Sequence, residues 1–169
     1  LDALEALEAD DREEALLHAR KAIKLDPEHA DAWRVVSDAS LPGLRKQPTL
    51  KQAASSLSAA KKVVALQPDD LAMWVRGGRL LSDELGLYMD ALQWWQDARH
   101  HAPEEVTPIV EQAAILADMG LYGEASERLQ SIIDENMDLA TTQYSRVARL
   151  HQMCKLASEQ PSSEHFKPW

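Results

Sequence analysis

Two adjacent histidines, a single cysteine, five tryptophans and an excess of carboxylates are the groups in this 169-residue sequence with chemistry to offer. His100 and His101 suggest a metal site, but neighbours on a helix point about 100° apart and do not readily share one ion. They stand just before Pro103, where a helix would end, and cations near a helix C-terminus are mildly stabilising. The pair therefore reads as a helix end. Cys154 has only His151 nearby in sequence, which is half of a zinc site, so it reads as buried packing. No Gly-rich phosphate loop, His-Glu-x-x-His or Gly-x-Ser-x-Gly pattern occurs. Nothing pairs a carboxylate with a nucleophile or base, so no catalysis, metal or cofactor is expected.

Composition narrows the remaining classes. The chain is 45% apolar and 27% charged, which describes a folded chain rather than a disordered one. A formal charge of −10 argues against general attraction to nucleic acid or anionic lipid. No run is long and apolar enough for a membrane span, and the start lacks the order of a signal peptide. A lone cysteine fits a reducing, cytoplasmic setting. The sequence opens on Leu1 rather than Met, and is expected to be a piece of a longer protein.

The elements that must position these residues announce themselves by repetition. Gly86-Leu87-Tyr88-Met89-Asp90-Ala91 returns as Gly120-Leu121-Tyr122-Gly123-Glu124-Ala125, 34 residues later. A fixed period in this range signals stacked helix pairs. Prolines that end the second helix of each pair, Pro27, Pro68 and Pro103, are spaced by 41 and 35 residues. An aromatic opens the first helix, with a small residue four later: Trp33 and Ser37, Trp74 and Gly78, Tyr144 and Ala148, with Ile109 and Ala113 between. Small residues recur in the second helix at Ala15, Ala22, Ser56, Ala91, Ala98 and Ala125.

In these residues the chain resembles the tetratricopeptide repeat (TPR) family over most of its length. The resemblance implies an all-α, right-handed solenoid of antiparallel helix pairs, with about four repeats and a partial terminal helix. The units fall at residues 1–29, 30–70, 71–105, 106–138 and 139–160, followed by a tail over 161–169. Helices are expected over 1–9, 11–25, 30–40, 50–66, 71–84, 89–101, 106–119, 122–135 and 141–157. Thr49 and Gln52 fit a capping box at one of these starts. The extra seven residues of the second unit fall at 41–48, whose two Pro and one Gly predict a surface loop.

The resemblance also assigns the aromatics: Trp33 and Trp74 to the core position, and Trp95 to the inward side of a second helix. Trp94 is left open, and Trp169 lies in the tail. The last helix carries Val147, Leu150 and Cys154 without a visible partner, so Phe166 and Trp169 would either fold back over that face or begin a further segment.

In the family fold the first helix of each pair lines a concave groove. Carried onto this sequence, that places Arg34, Val75, Arg76, Arg79, Val110, Ala114, Arg146 and Arg149 on or beside the inner surface. Arg presents a planar fork of donors suited to carboxylates, so such a groove would take a partner peptide or helix with Asp or Glu beside small apolar residues. The bland alternative is that each Arg pairs with an acidic neighbour. Arg34, between Asp31 and Asp38 at helical spacing, is the clearest case. The chaperone-tail clamp of the family is not matched, because Thr107 and Glu111 stand where cations are needed. The resulting expectation is a protein-binding scaffold. Its rivals are a spacer that binds through its convex face or ends, and an RNA-binding helical repeat, which the negative charge disfavours.

Overall fold

The computed structural model describes residues 11–43, 46–135 and 141–159, with side chains from 145 onward in the last stretch. Among these residues run α1 (Arg12–Leu25), α2 (Ala30–Ser40), α3 (Leu50–Leu66), α4 (Leu71–Arg79), a π turn (Leu80–Glu84), α5 (Tyr88–His101), α6 (Thr107–Asp118), α7 (Tyr122–Asp134) and α8 (Thr141–Glu159). The chain divides into two compact units, Leu1–His101 and Ala102–Trp169. Within each, successive helices pack on one another. The expected helix over 1–9 and the tail with Phe166 and Trp169 lie outside the described residues.

The helix starts follow from side chains that satisfy orphan N–H groups. Thr49 and Gln52 form the expected capping box of α3: the Thr49 hydroxyl accepts from Gln52 N at 3.2 Å, and the Gln52 amide oxygen accepts from Thr49 N at 2.8 Å. Asp11, His29 and Asp70 cap α1, α2 and α4. The Trp at the start of a first helix is anchored in the same way in two repeats. Trp33 Nε1 donates to the Pro27 carbonyl and Trp74 Nε1 to the Pro68 carbonyl, each at 2.8 Å. Each indole therefore ties a helix to the proline that ended the one before. At the equivalent place in the second unit, Ile109 has no side-chain N–H to donate and is simply buried.

Residues 71–84, expected as one continuous helix, change pitch instead. α4 is regular to Arg79, and the next five residues form the π turn, with Leu85 N donating to Leu80 O at 2.9 Å. A π turn accommodates one extra residue. That residue is visible in the spacing: Pro68 precedes Gly86 by 18 positions, whereas Pro103 precedes Gly120 by 17. The Pro-to-Pro distance of 35 is thus the 34-residue period with the π turn added. Gly86 and Gly120 themselves sit in the left-handed region, at φ 65° and 80°, where L side chains are strained. The echoed sequence is therefore a repeated helix stop.

Small residues let the helices approach closely. Ser37 of α2 and Ser56 of α3 are both fully buried and satisfy each other across the crossing. Ser56 Oγ donates to Ser37 O at 2.7 Å, and Ser37 Oγ to Ser56 O at 3.0 Å. At the α4–α5 crossing the glycines make room for two indoles: a Cβ on Gly77 would lie 2.1 Å from Trp94 Cζ2, and one on Gly78 2.4 Å from Trp95 Cζ2. Trp94, left open by the sequence, is buried, and its Nε1 donates to Trp74 O at 2.7 Å. His100 and His101 end α5, as expected.

In the second unit the buried residues include Ile109, Val110, Ala113, Ile115 and Leu116 of α6, Ala125, Leu129 and Ile132 of α7, and Val147 and Cys154 of α8. The expectation that Val147 and Cys154 lack a partner is corrected here. α8 packs on both α6 and α7, which covers these two residues and leaves Leu150 half-buried beside exposed Met153 and Leu156.

Candidate functional site

The first helices of the repeats carry the residues expected on the inner face, and the structure sorts them by what they touch. Arg34 is fully engaged. Its Nε donates to Asp70 Oδ2 at 3.1 Å, Nη2 reaches the same oxygen and Gln67 Oε1, the latter at 2.8 Å, and Nη1 bonds Asp31. Asp31 was an expected partner; Asp38 was not found to be one. The reason lies at the helix start below: Asp70 caps α4 through Oδ1, bonded to Met73 N at 3.1 Å, which leaves Oδ2 aimed at α2. The hydrogen bond to Asp70, more than the charges of Asp70 and Asp31, raises the Arg34 pKa against the effect of its partial burial.

Asp38 is taken by Arg76 of α4. Its backbone carbonyl also accepts from Arg12 Nη1 at 2.9 Å, which brings a second guanidinium close. Burial, followed by repulsion from Arg12, pushes Arg76 below the usual guanidinium value. Arg76 remains a cation at neutral pH all the same, because the guanidinium pKa starts far above neutrality. Val75 is half-buried, and Arg79 is exposed with no partner among the described residues.

In the second unit, Arg146 Nη1 donates to Glu111 Oε1 at 2.7 Å, an ion pair with its Arg half exposed. Val110 is buried and belongs to the packing, whereas Ala114 is half-buried at the surface of α6. Between α6 and α8 opens a cleft of about 380 Å³, lined by Ala114, Ser145, Arg146, Arg149, Leu150 and Met153. Arg149 is exposed on it, without a partner among the described residues. Three expected inner-face residues, Ala114, Arg146 and Arg149, are thus brought to one concavity. Met153 was not foreseen, although it follows Arg149 and Ser145 at helical spacing.

Of the five arginines, then, Arg34, Arg76 and Arg146 hold acidic neighbours, while Arg79 and Arg149 do not among the described residues. Among those residues no group of His, Cys, Asp and Glu is arranged to hold a metal ion. No helix there is long and apolar enough to cross a membrane.

No family model matches the sequence, and no curated protein matches it. Solved structures do. A MamA protein aligns at 13% identity with a TM-score of 0.68, over 92% of this chain and 78% of that one. YrrB, described as a TPR protein with an unusual peptide-binding site, aligns at 16% identity with a TM-score of 0.58, over 94% and 89%. TTC0263, a thermophilic TPR protein of Thermus thermophilus, aligns at 16% with a TM-score of 0.55, over 92% and 77%. Likeness at such identities is a likeness of fold. This chain has the all-α tetratricopeptide fold.

Proposed function

We propose that the chain is a protein-interaction module that holds a segment of a partner in the α6–α8 cleft, with no catalysis of its own. The observation that carries this reading is Arg149: a guanidinium without a described partner, beside the apolar walls of Ala114, Leu150 and Met153. A carboxylate on the partner would be received by the Arg149 fork, and a small apolar side chain by the walls. Arg146 is already spoken for by Glu111 and would contribute only by exchanging that partner. In the first unit, Arg79 beside half-buried Val75 offers a second contact of the same kind. A peptide-binding site is named for YrrB, which has this fold. An affinity near micromolar, about 8 kcal/mol, is the scale expected of a short segment on such a surface.

The test is capture of partners by the wild type and by a variant carrying Arg79→Glu and Arg149→Glu, over a salt series. Loss of specific partners in the variant, and their release from the wild type by salt, is the expected result. Equal, salt-independent capture by both would overturn the reading.

A further inference from the structure

In the first unit α1 and α3 both pack on α2, and a furrow of about 330 Å³ opens between them over the end of α2, within the range of ligand pockets. Leu16 of α1, Ala39 of α2, and Leu41 and Pro42 beyond it form its apolar part. Leu16 packs on the core cluster of Ala15, Ala19, Val35 and Ala39, so this floor is continuous with the core. Leu41 and Pro42 belong to the insertion that lengthens the second unit beyond the 34-residue period. The furrow is therefore particular to this repeat.

Its rim carries an excess of positive charge. Arg12, Arg20 and Lys51 line it against one carboxylate, Glu13. Arg12 is committed in part, its Nη1 donating to Asp38 O at 2.9 Å. Arg20 on α1 and Lys51 on α3 are exposed and hold no partner among the described residues. Two acids close by in sequence serve elsewhere, Asp38 in its pair with Arg76 and Asp11 as the cap of α1. The same sign is written in the sequence: residues 39–68 hold five Lys and Arg and no Asp or Glu, in a chain of formal charge −10. Such a reversal complements a negative partner. The lining offers no aromatic ring on which a base could stack, and the acidic remainder of the chain repels a long polyanion. The complement is thus a short acidic stretch of polypeptide.

We propose that this furrow is a second docking site, which takes an acidic segment of a partner protein with a leucine-sized side chain between two carboxylates. The apolar side chain seats on Leu16, Leu41 and Pro42, one carboxylate meets Arg20, and the other meets Lys51. The furrow shares no residue with the α6–α8 cleft, and it differs in taking a carboxylate on each side of the apolar group.

Backbone amide signals in a nitrogen-15 NMR spectrum report on the two sites separately, Leu41, Gln52 and Ser55 on the furrow, Ala114 and Leu150 on the cleft. The probe is a short peptide with one leucine between glutamates, and its controls are the same peptide with lysines for glutamates and a short single-stranded RNA. The acidic peptide is expected to shift the furrow signals saturably, and more weakly as salt is added. Arg20→Glu with Lys51→Glu, both at exposed positions, should weaken binding at the furrow about tenfold. Ser55→Trp, which fills the furrow from an exposed position on α3, should abolish it. Arg149→Glu should leave the furrow shifts unchanged, which separates this site from the cleft. Unchanged thermal midpoints establish that the variants fold, and the wild-type titration with its two controls decides without them. The proposal is overturned by an absence of furrow shifts, by equal shifts with the lysine peptide or the RNA, by shifts that survive the double charge reversal, or by shifts that follow protein concentration alone, which would place a second copy of the chain there.

Discussion

Asp70 divides its carboxylate between two tasks: Oδ1 accepts from Met73 N at 3.1 Å and caps α4, while Oδ2 accepts from Arg34 Nε at 3.1 Å and ties α4 to the preceding repeat. The pair is partly screened, since the Arg34 side chain is 31% exposed and that of Asp70 13%. Loss of a cap costs about 0.5–2 kcal/mol, and a partly exposed ion pair about 0.2–1 kcal/mol. Asp70→Ala should therefore destabilise more than Arg34→Ala. In a double-mutant cycle by urea denaturation the two changes should fall short of additivity by about 0.5–1 kcal/mol. Full additivity would mean that the link contributes nothing.

Gly77→Ala and Gly78→Ala should both destabilise, although alanine is the better helix former by about 1 kcal/mol. The added methyl would stand 2.1 Å from Trp94 Cζ2 or 2.4 Å from Trp95 Cζ2, and both rings are buried. Overpacking of this kind costs about 1–3 kcal/mol. The thermal midpoint should fall and the tryptophan emission should move to the red. A raised midpoint would show that the α4–α5 crossing is looser than the structure has it.

Gly86 and Gly120 should fail for a different reason. A Cβ at either meets nothing within 4 Å, so the penalty is conformational alone, about 1–2 kcal/mol for a left-handed L residue. Asn tolerates that region better than Ala. Substitution by Ala should thus cost more stability than substitution by Asn at both positions, whereas at Gly77 and Gly78 Asn should be the worse of the two. Circular dichroism melts of the eight variants distinguish the mechanisms.

Cys154 is 1% exposed, and its burial raises the thiol pKa above the usual value. The unfolded chain then ionises first as pH rises. Stability from this group is complete below the unfolded thiol pKa and declines as pH climbs towards the folded one. Cys154→Ala should remove that alkaline decline, measured as the urea midpoint between about pH 8 and 10. The native thiol should also react slowly with a disulfide reagent at neutral pH. Rapid modification without unfolding would contradict its burial.

Much of this molecule was legible in sequence because its period is carried by residues with a single physical job. Pro27, Pro68 and Pro103 end helices, Thr49 with Gln52 starts one, and Gly86 and Gly120 stop two. The helix bounds followed from these within a residue or two. The π turn did not, because local propensity does not distinguish it from an α-helix; only the spacing of 18 against 17 residues marks it. The candidate site was legible in part. Helical spacing suggested that Arg34 would find an acid, but the choice of Asp70 over Asp38 depends on how α4 is placed against α2. The same placement delivers Asp38 to Arg76, which no local pattern shows. Trp94 was undecided because its burial depends on Gly77, far from it in sequence.

The most direct test of the account is a selection of displayed random peptides, about a dozen residues long, on the wild type and on Arg149→Glu. The wild type should enrich peptides with Asp or Glu next to a small apolar residue, at affinities near micromolar that weaken with salt. Arg149→Glu should lose those peptides while keeping the same melting temperature. Enrichment of the same peptides by both proteins, or of basic peptides by the wild type, would contradict a partner-binding cleft between α6 and α8.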